Sequence, residues 1–133
     1  MRVKEVAGGA QTARSGGPSA DEIELIEMAN LPPERTGVEG VIYISTAQAR
    51  HAPRVKWYPS RPRDKAPCLS VTIEPVPNAF NHHLPARVFA VAGEPVKAWV
   101  TLNYLDLLDF WDHGNTWMDD EVDAFKKALK KLS

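Results

Sequence analysis

The chain contains one cysteine, Cys68, among its 133 residues. A single thiol excludes an internal disulfide and every multi-cysteine zinc motif, and it points to a reducing compartment. No apolar run approaches the roughly 18 to 20 residues that span a bilayer. Net charge is scarce as well: the formal value is -1 at pH 7. The chain as a whole therefore has no pull toward nucleic acid or membrane, and any such affinity must come from local patches. There is no G-x-S-x-G elbow, P-loop or dinucleotide fingerprint. The glycines at 8, 9, 16 and 17 fall in the N-terminal stretch, not between a strand and a helix. An enzyme thus has no motif to support it, and no cofactor is implied.

What remains is ordinary for a soluble globular protein: 44% hydrophobic and 25% charged residues. The length suits one domain with a sizeable core. The first twenty residues lack the apolar stretch of a secretory signal. They are basic and poor in acids, somewhat like a transit peptide, but aperiodic Gly, Ser and Ala fit a mobile tail better. The expected organisation is a tail over 1–18 and a single α+β domain over 19–133. Ser19 can cap a short helix through "ADEIELIEMAN", with Ile23, Ile26 and Ala29 inward, and "LPPERTG" ends it.

Three segments read as strands. Residues 38–45 are rich in β-branched and aromatic side chains. Residues 54–59 alternate, with Arg54, Lys56 and Tyr58 on one face and Val55 and Trp57 on the other, as in a half-buried strand. Residues 68–75 alternate Leu69, Val71 and Ile73 against Cys68, Ser70, Thr72 and Glu74. Between the last two lies a proline-rich polar loop. The expected sheet is antiparallel with three or four strands. Residues 76–87 read as irregular. The segment "VFAVAGEP" is either a fourth strand or the start of a helix, with the balance toward helix.

From Pro95, a first-turn proline, a helix is expected to run to a cap at Gly114. Val96, Trp99, Val100, Leu107, Leu108 and Trp111 share its inner face, and Asn103 marks a bend. A second helix follows a T-x-x-D signature at Thr116 to Asp119. Its stripe is Met118, Val122, Phe125, Leu129 and Leu132. Together these make a helical hairpin across the sheet.

The residues Trp99, Leu102, Asn103, Leu107, Leu108 and Trp111 resemble a Trp-x-x-Leu-Asn…Leu-Leu-x-x-Trp helix found in a bacterial family of small proteins of unknown function. That family also carries a His-x-Pro-Pro-His-x-His turn, to which "RHAPRVKWYP" corresponds. His51 and Pro53 fit it, whereas Arg54 and Lys56 or their neighbours stand where the other histidines would be. The resemblance covers about residues 40–132. It implies a compact α+β domain, and the family is suspected of belonging to toxin–antitoxin-like gene pairs. No histidine-cluster role carries over.

The most distinctive stretch runs from Arg50 to Lys65, with six Lys or Arg against one acid, Asp64. Arg50, His51, Arg54, Lys56, Tyr58, Arg61, Arg63 and Lys65 form the candidate interface. Cations here can neutralise phosphates or acidic side chains, and an aromatic ring can stack on a base. The plain alternative is a solvated strand edge over a core Trp57. A second constellation is the acidic row Asp106, Asp109 and Asp112, followed by Asp119, Asp120, Glu121 and Asp123. With loop histidines His82 and His83 it can hold a divalent cation, as a metal-dependent nuclease or other hydrolase would; its plain alternative is an outer helix face. His113 suits a helix C-terminus. The expected function is a non-enzymatic binding or accessory module of the bacterial cytoplasm, working through the basic sheet face on nucleic acid or an acidic protein.

Overall fold

The computed structural model describes residues 29–46, 52–61 and 66–133. The expected tail and most of the expected first helix lie outside the described residues. Where that helix was to end, the chain is extended instead. Ala29–Leu31 is strand β1, and Pro33–Thr36 is a single helical turn, α1, with proline in its first turn. Gly37 closes that turn at φ 78, the left-handed conformation that glycine adopts without a Cβ clash.

Strands β2 (Val41–Ile44), β3 (Arg54–Tyr58), β4 (Cys68–Thr72) and β5 (Ala79–His82) follow. They form one antiparallel meander in the order β1-β2-β3-β4-β5. Five strands stand where three or four were expected. The two extra ones are the edges. β1 is Ala-Asn-Leu and β5 is Ala-Phe-Asn-His, compositions with little intrinsic strand preference. Pairing with β2 and β4 imposes the extended backbone on them.

Register carries the core. Ile42 faces Trp57, which faces Leu69; Ile44 faces Val55, which faces Val71. These rows pack with Val96, Trp99, Val100, Leu107 and Phe110 from the helices into one cluster. A largely β-branched and aromatic sheet face thus meets a helical stripe, the usual way an α+β layer pair buries its apolar surface.

Helix α2 spans Ala86–Leu102, so the ambiguous 88–95 segment is helical. Pro95 lies inside this helix, not at its start. It removes the bond to the Val91 carbonyl on a turn whose Val91 side chain is 71% exposed, where water can replace the lost partner. The expected bend at Asn103 is a full break. α3 begins at Tyr104 and runs to His113.

Gly114 is not the left-handed cap its sequence position suggests. It has φ -58 and opens a 3-10 turn, Gly114–Thr116. A Cβ there would lie 2.6 Å from the Phe110 ring and 3.0 Å from Thr46 Cγ2, so close packing is what requires glycine.

Helix α4 is Asp119–Ala128, starting after Met118. The Glu121 carboxylate accepts from the Met118 backbone N–H at 2.8 Å, which replaces the expected threonine cap. Phe125 stacks on Phe110 at 4.7 Å, and Trp117 meets both rings edge-on. This aromatic trio ties α4 to α3. Met118 is 69% exposed, so it drops out of the expected stripe. Leu129 and Leu132 pack against the core from an extended tail beyond the helix. Among the described residues, no helix is long and apolar enough to cross a membrane.

Candidate functional site

Strand β3 carries the basic segment into the middle of the sheet, with β2 on one side and β4 on the other. Alternation sends Val55 and Trp57 into the core, as expected, and the Trp57 indole donates to the Glu39 carbonyl at 2.6 Å. The opposite face departs from expectation. Lys56, aligned between Tyr43 and Ser70, is only 5% exposed, and Tyr58 is 3% exposed. Arg54 is half-buried. None of the three residues is without a partner, and Tyr43 packs edge-on against Tyr58 at 5.4 Å. A central strand buried on both faces is neither a solvated rim nor an open stacking platform. The alternation gave the right faces, but the face opposite the core is itself shielded from solvent at Lys56, Tyr58, Cys68 and Ser70.

Arg50, His51, Arg63 and Lys65 lie outside the described residues. Arg61 is described and exposed, just past the end of β3. It stands at a cleft of about 400 Å³ lined with Tyr58, Pro59, Pro67, Leu84 and Pro85. Prolines recur in this lining because the chain leaves β3 at Pro59, enters β4 after Pro67 and enters α2 after Pro85. Proline has no N–H to leave unsatisfied and a fixed φ, so these walls are apolar and stiff.

The far wall depends on Asn81. Its Nδ2 donates to the Leu84 carbonyl at 3.0 Å, and its Oδ1 accepts from the Leu84 N–H at 2.8 Å. Between them His83 takes φ 74, an uncommon left-handed backbone for a non-glycine residue. This small side-chain loop turns the chain out of β5 and sets Leu84 and Pro85 against the cleft. Sequence reading passed over these residues as irregular. The available signal was Pro85 directly after "NHHL", with an asparagine at its head to close a local turn.

The histidines and acids do not assemble the alternative site. His82 belongs to β5, where its Nε2 lies 2.9 Å from Ser70 Oγ. Asp106, Asp109 and Asp112 are exposed along α3, and Asp109 pairs with His113 Nδ1 one turn on, at 3.0 Å. Among the described residues, no three His, Cys, Asp or Glu side chains gather closely enough to hold a metal ion. Cys68 is buried. Trp99 and Trp111, expected on the inner helix face, are fully buried and 3% exposed, while Trp117 is half-buried in the aromatic trio.

No family model, curated protein or solved structure matches this chain, and its function must be read from the geometry above.

Proposed function

We propose that the chain is a non-enzymatic binding module that uses the connected end of the β3–β4 hairpin to hold an acidic protein partner. One observation carries this reading. Among the described residues, Arg61 is the cation of the basic segment that is exposed, and it stands beside an apolar cleft. In sequence, Arg63 and Lys65 extend the same charge. A protein is favoured over nucleic acid because the aromatic rings of the segment, Trp57 and Tyr58, are buried and offer no face to a base. The resemblance to proteins of toxin–antitoxin-like gene pairs agrees with a cognate protein partner in the bacterial cytoplasm.

The test is fluorescence anisotropy with two labelled probes, a peptide alternating glutamate and serine and a single-stranded oligonucleotide. The acidic peptide binds, weakens as salt rises from about 50 to about 300 mM, and loses affinity in Arg61→Ala. Oligonucleotide binding tighter than peptide binding, or peptide binding indifferent to Arg61, overturns the proposal.

A further inference from the structure

We infer that the cleft beside Arg61 seats one bulky aliphatic side chain of the partner, so that the recognised element is an acidic residue adjacent to an apolar one. This rests on the binding role proposed above and narrows its ligand.

Three features argue for it. The cleft is walled by Pro59, Pro67, Pro85, Leu84 and the body of Tyr58, which present carbon and few hydrogen-bond donors. The cleft opens to solvent, so an occupant is covered on one side, and an apolar side chain gains by taking the carbon wall and itself out of water. The volume, about 400 Å³, lies at the small end of ligand sites and suits a side chain with its flanking backbone. Proline walls also change little on binding, so ordering the site costs little. Arg61 is the only charged residue among the described lining residues, and it is exposed. Charge complementarity therefore asks for a carboxylate within a residue or two of the inserted side chain. Alternating acid and aliphatic residues in an extended peptide meet both demands.

The experiment compares three labelled peptides on the full chain: repeating Glu-Leu, repeating Glu-Ser and repeating Gln-Leu. Glu-Leu binds about tenfold more tightly than Glu-Ser, the scale expected from burying a single leucine, and Gln-Leu binds more weakly than Glu-Leu. Ala66→Trp, which fills the cleft from its rim, brings Glu-Leu down to the affinity of Glu-Ser and leaves Glu-Ser unchanged. Ser60→Trp gives the same result from the other rim and serves if Ala66→Trp fails to fold. Equal affinity for Glu-Leu and Glu-Ser, both dependent on Arg61, overturns the cleft inference while the acidic-partner role stands. Equal affinity for Glu-Leu and Gln-Leu removes the carboxylate and overturns the inference too. No binding by any acidic peptide removes both.

Discussion

The side-chain amide of Asn103 grips both main-chain polar groups of Lys130: Oδ1 accepts from its N–H at 2.7 Å, and Nδ2 donates to its carbonyl at 2.9 Å. The same Nδ2 also donates to the Trp99 carbonyl at 3.1 Å, and the residue is 2% exposed. One amide thereby satisfies the end of α2 and holds the C-terminal tail as a strand would. Replacing Asn103 with Ala leaves the Lys130 groups without partners. The expected loss is about 2 to 4 kcal/mol in urea unfolding, with faster hydrogen exchange at the Lys130 amide. A change within about 0.5 kcal/mol, the range of a surface substitution, would show that the clamp is incidental.

The tail is held a second time. The Leu132 N–H donates to the Thr36 carbonyl at 2.7 Å, and a Cβ on Gly37 would lie 1.9 Å from the Leu132 carbonyl oxygen. Gly37→Ala therefore meets two penalties, a left-handed backbone and a collision with the tail. Removing residues 131–133 relieves the second. Gly37→Ala is expected to cost at least about 1 kcal/mol less in the shortened chain than in the full one. Equal costs would mean that backbone strain alone is responsible.

Two buried tryptophans make a controlled comparison. Trp57 donates its indole N–H to Glu39, whereas the Trp99 indole N–H is buried without a partner. Phenylalanine removes similar volume at each site but breaks a hydrogen bond at only one. Trp57→Phe should be the more destabilising, by about 1 kcal/mol. The reverse order in denaturant titration would contradict the hydrogen-bond assignment.

Burial separates the cations of the basic segment in a way that stability measurements can read. Lys56 is buried at 5% exposure, while Arg61 is exposed. Lys56→Ala is expected to cost about 2 kcal/mol or more, through lost packing of the buried stem. Arg61→Ala should stay within about 0.5 kcal/mol of the parent. A near-neutral Lys56→Ala would return that residue to the solvated face first expected of it.

These contrasts show where the sequence was legible. Period-two alternation in 54–58 and 68–72 separated core from non-core faces correctly, because a side-chain direction on a strand is a local property. Whether the second face is wet is not local, since it depends on what the rest of the chain lays over it. The short edge strands β1 and β5 had little propensity to announce them, so the full width of the five-stranded sheet was hidden. The helices followed the same logic. The stripe of Val96, Trp99 and Val100 was readable. The continuation of α2 through Pro95 depends on an exposed turn that tolerates a missing bond, and Gly114 depends on the approach of Phe110. The candidate cleft is built from residues far apart in sequence, Tyr58 and Pro59 against Leu84 and Pro85. Of its lining, Arg61 and Tyr58 stood among the residues named from sequence, whereas Leu84 and the prolines did not.

The most direct measurement of the central claim is a charge exchange at Arg61. Arg61→Glu is titrated with the labelled acidic peptide and with its counterpart in which lysine replaces glutamate. Complementary charge at the hairpin end predicts loss of the acidic peptide by about tenfold or more and a gain for the lysine peptide. Unchanged affinity for the acidic peptide in a folded Arg61→Glu chain would contradict the account, because it would place the binding charge somewhere other than the end of this hairpin.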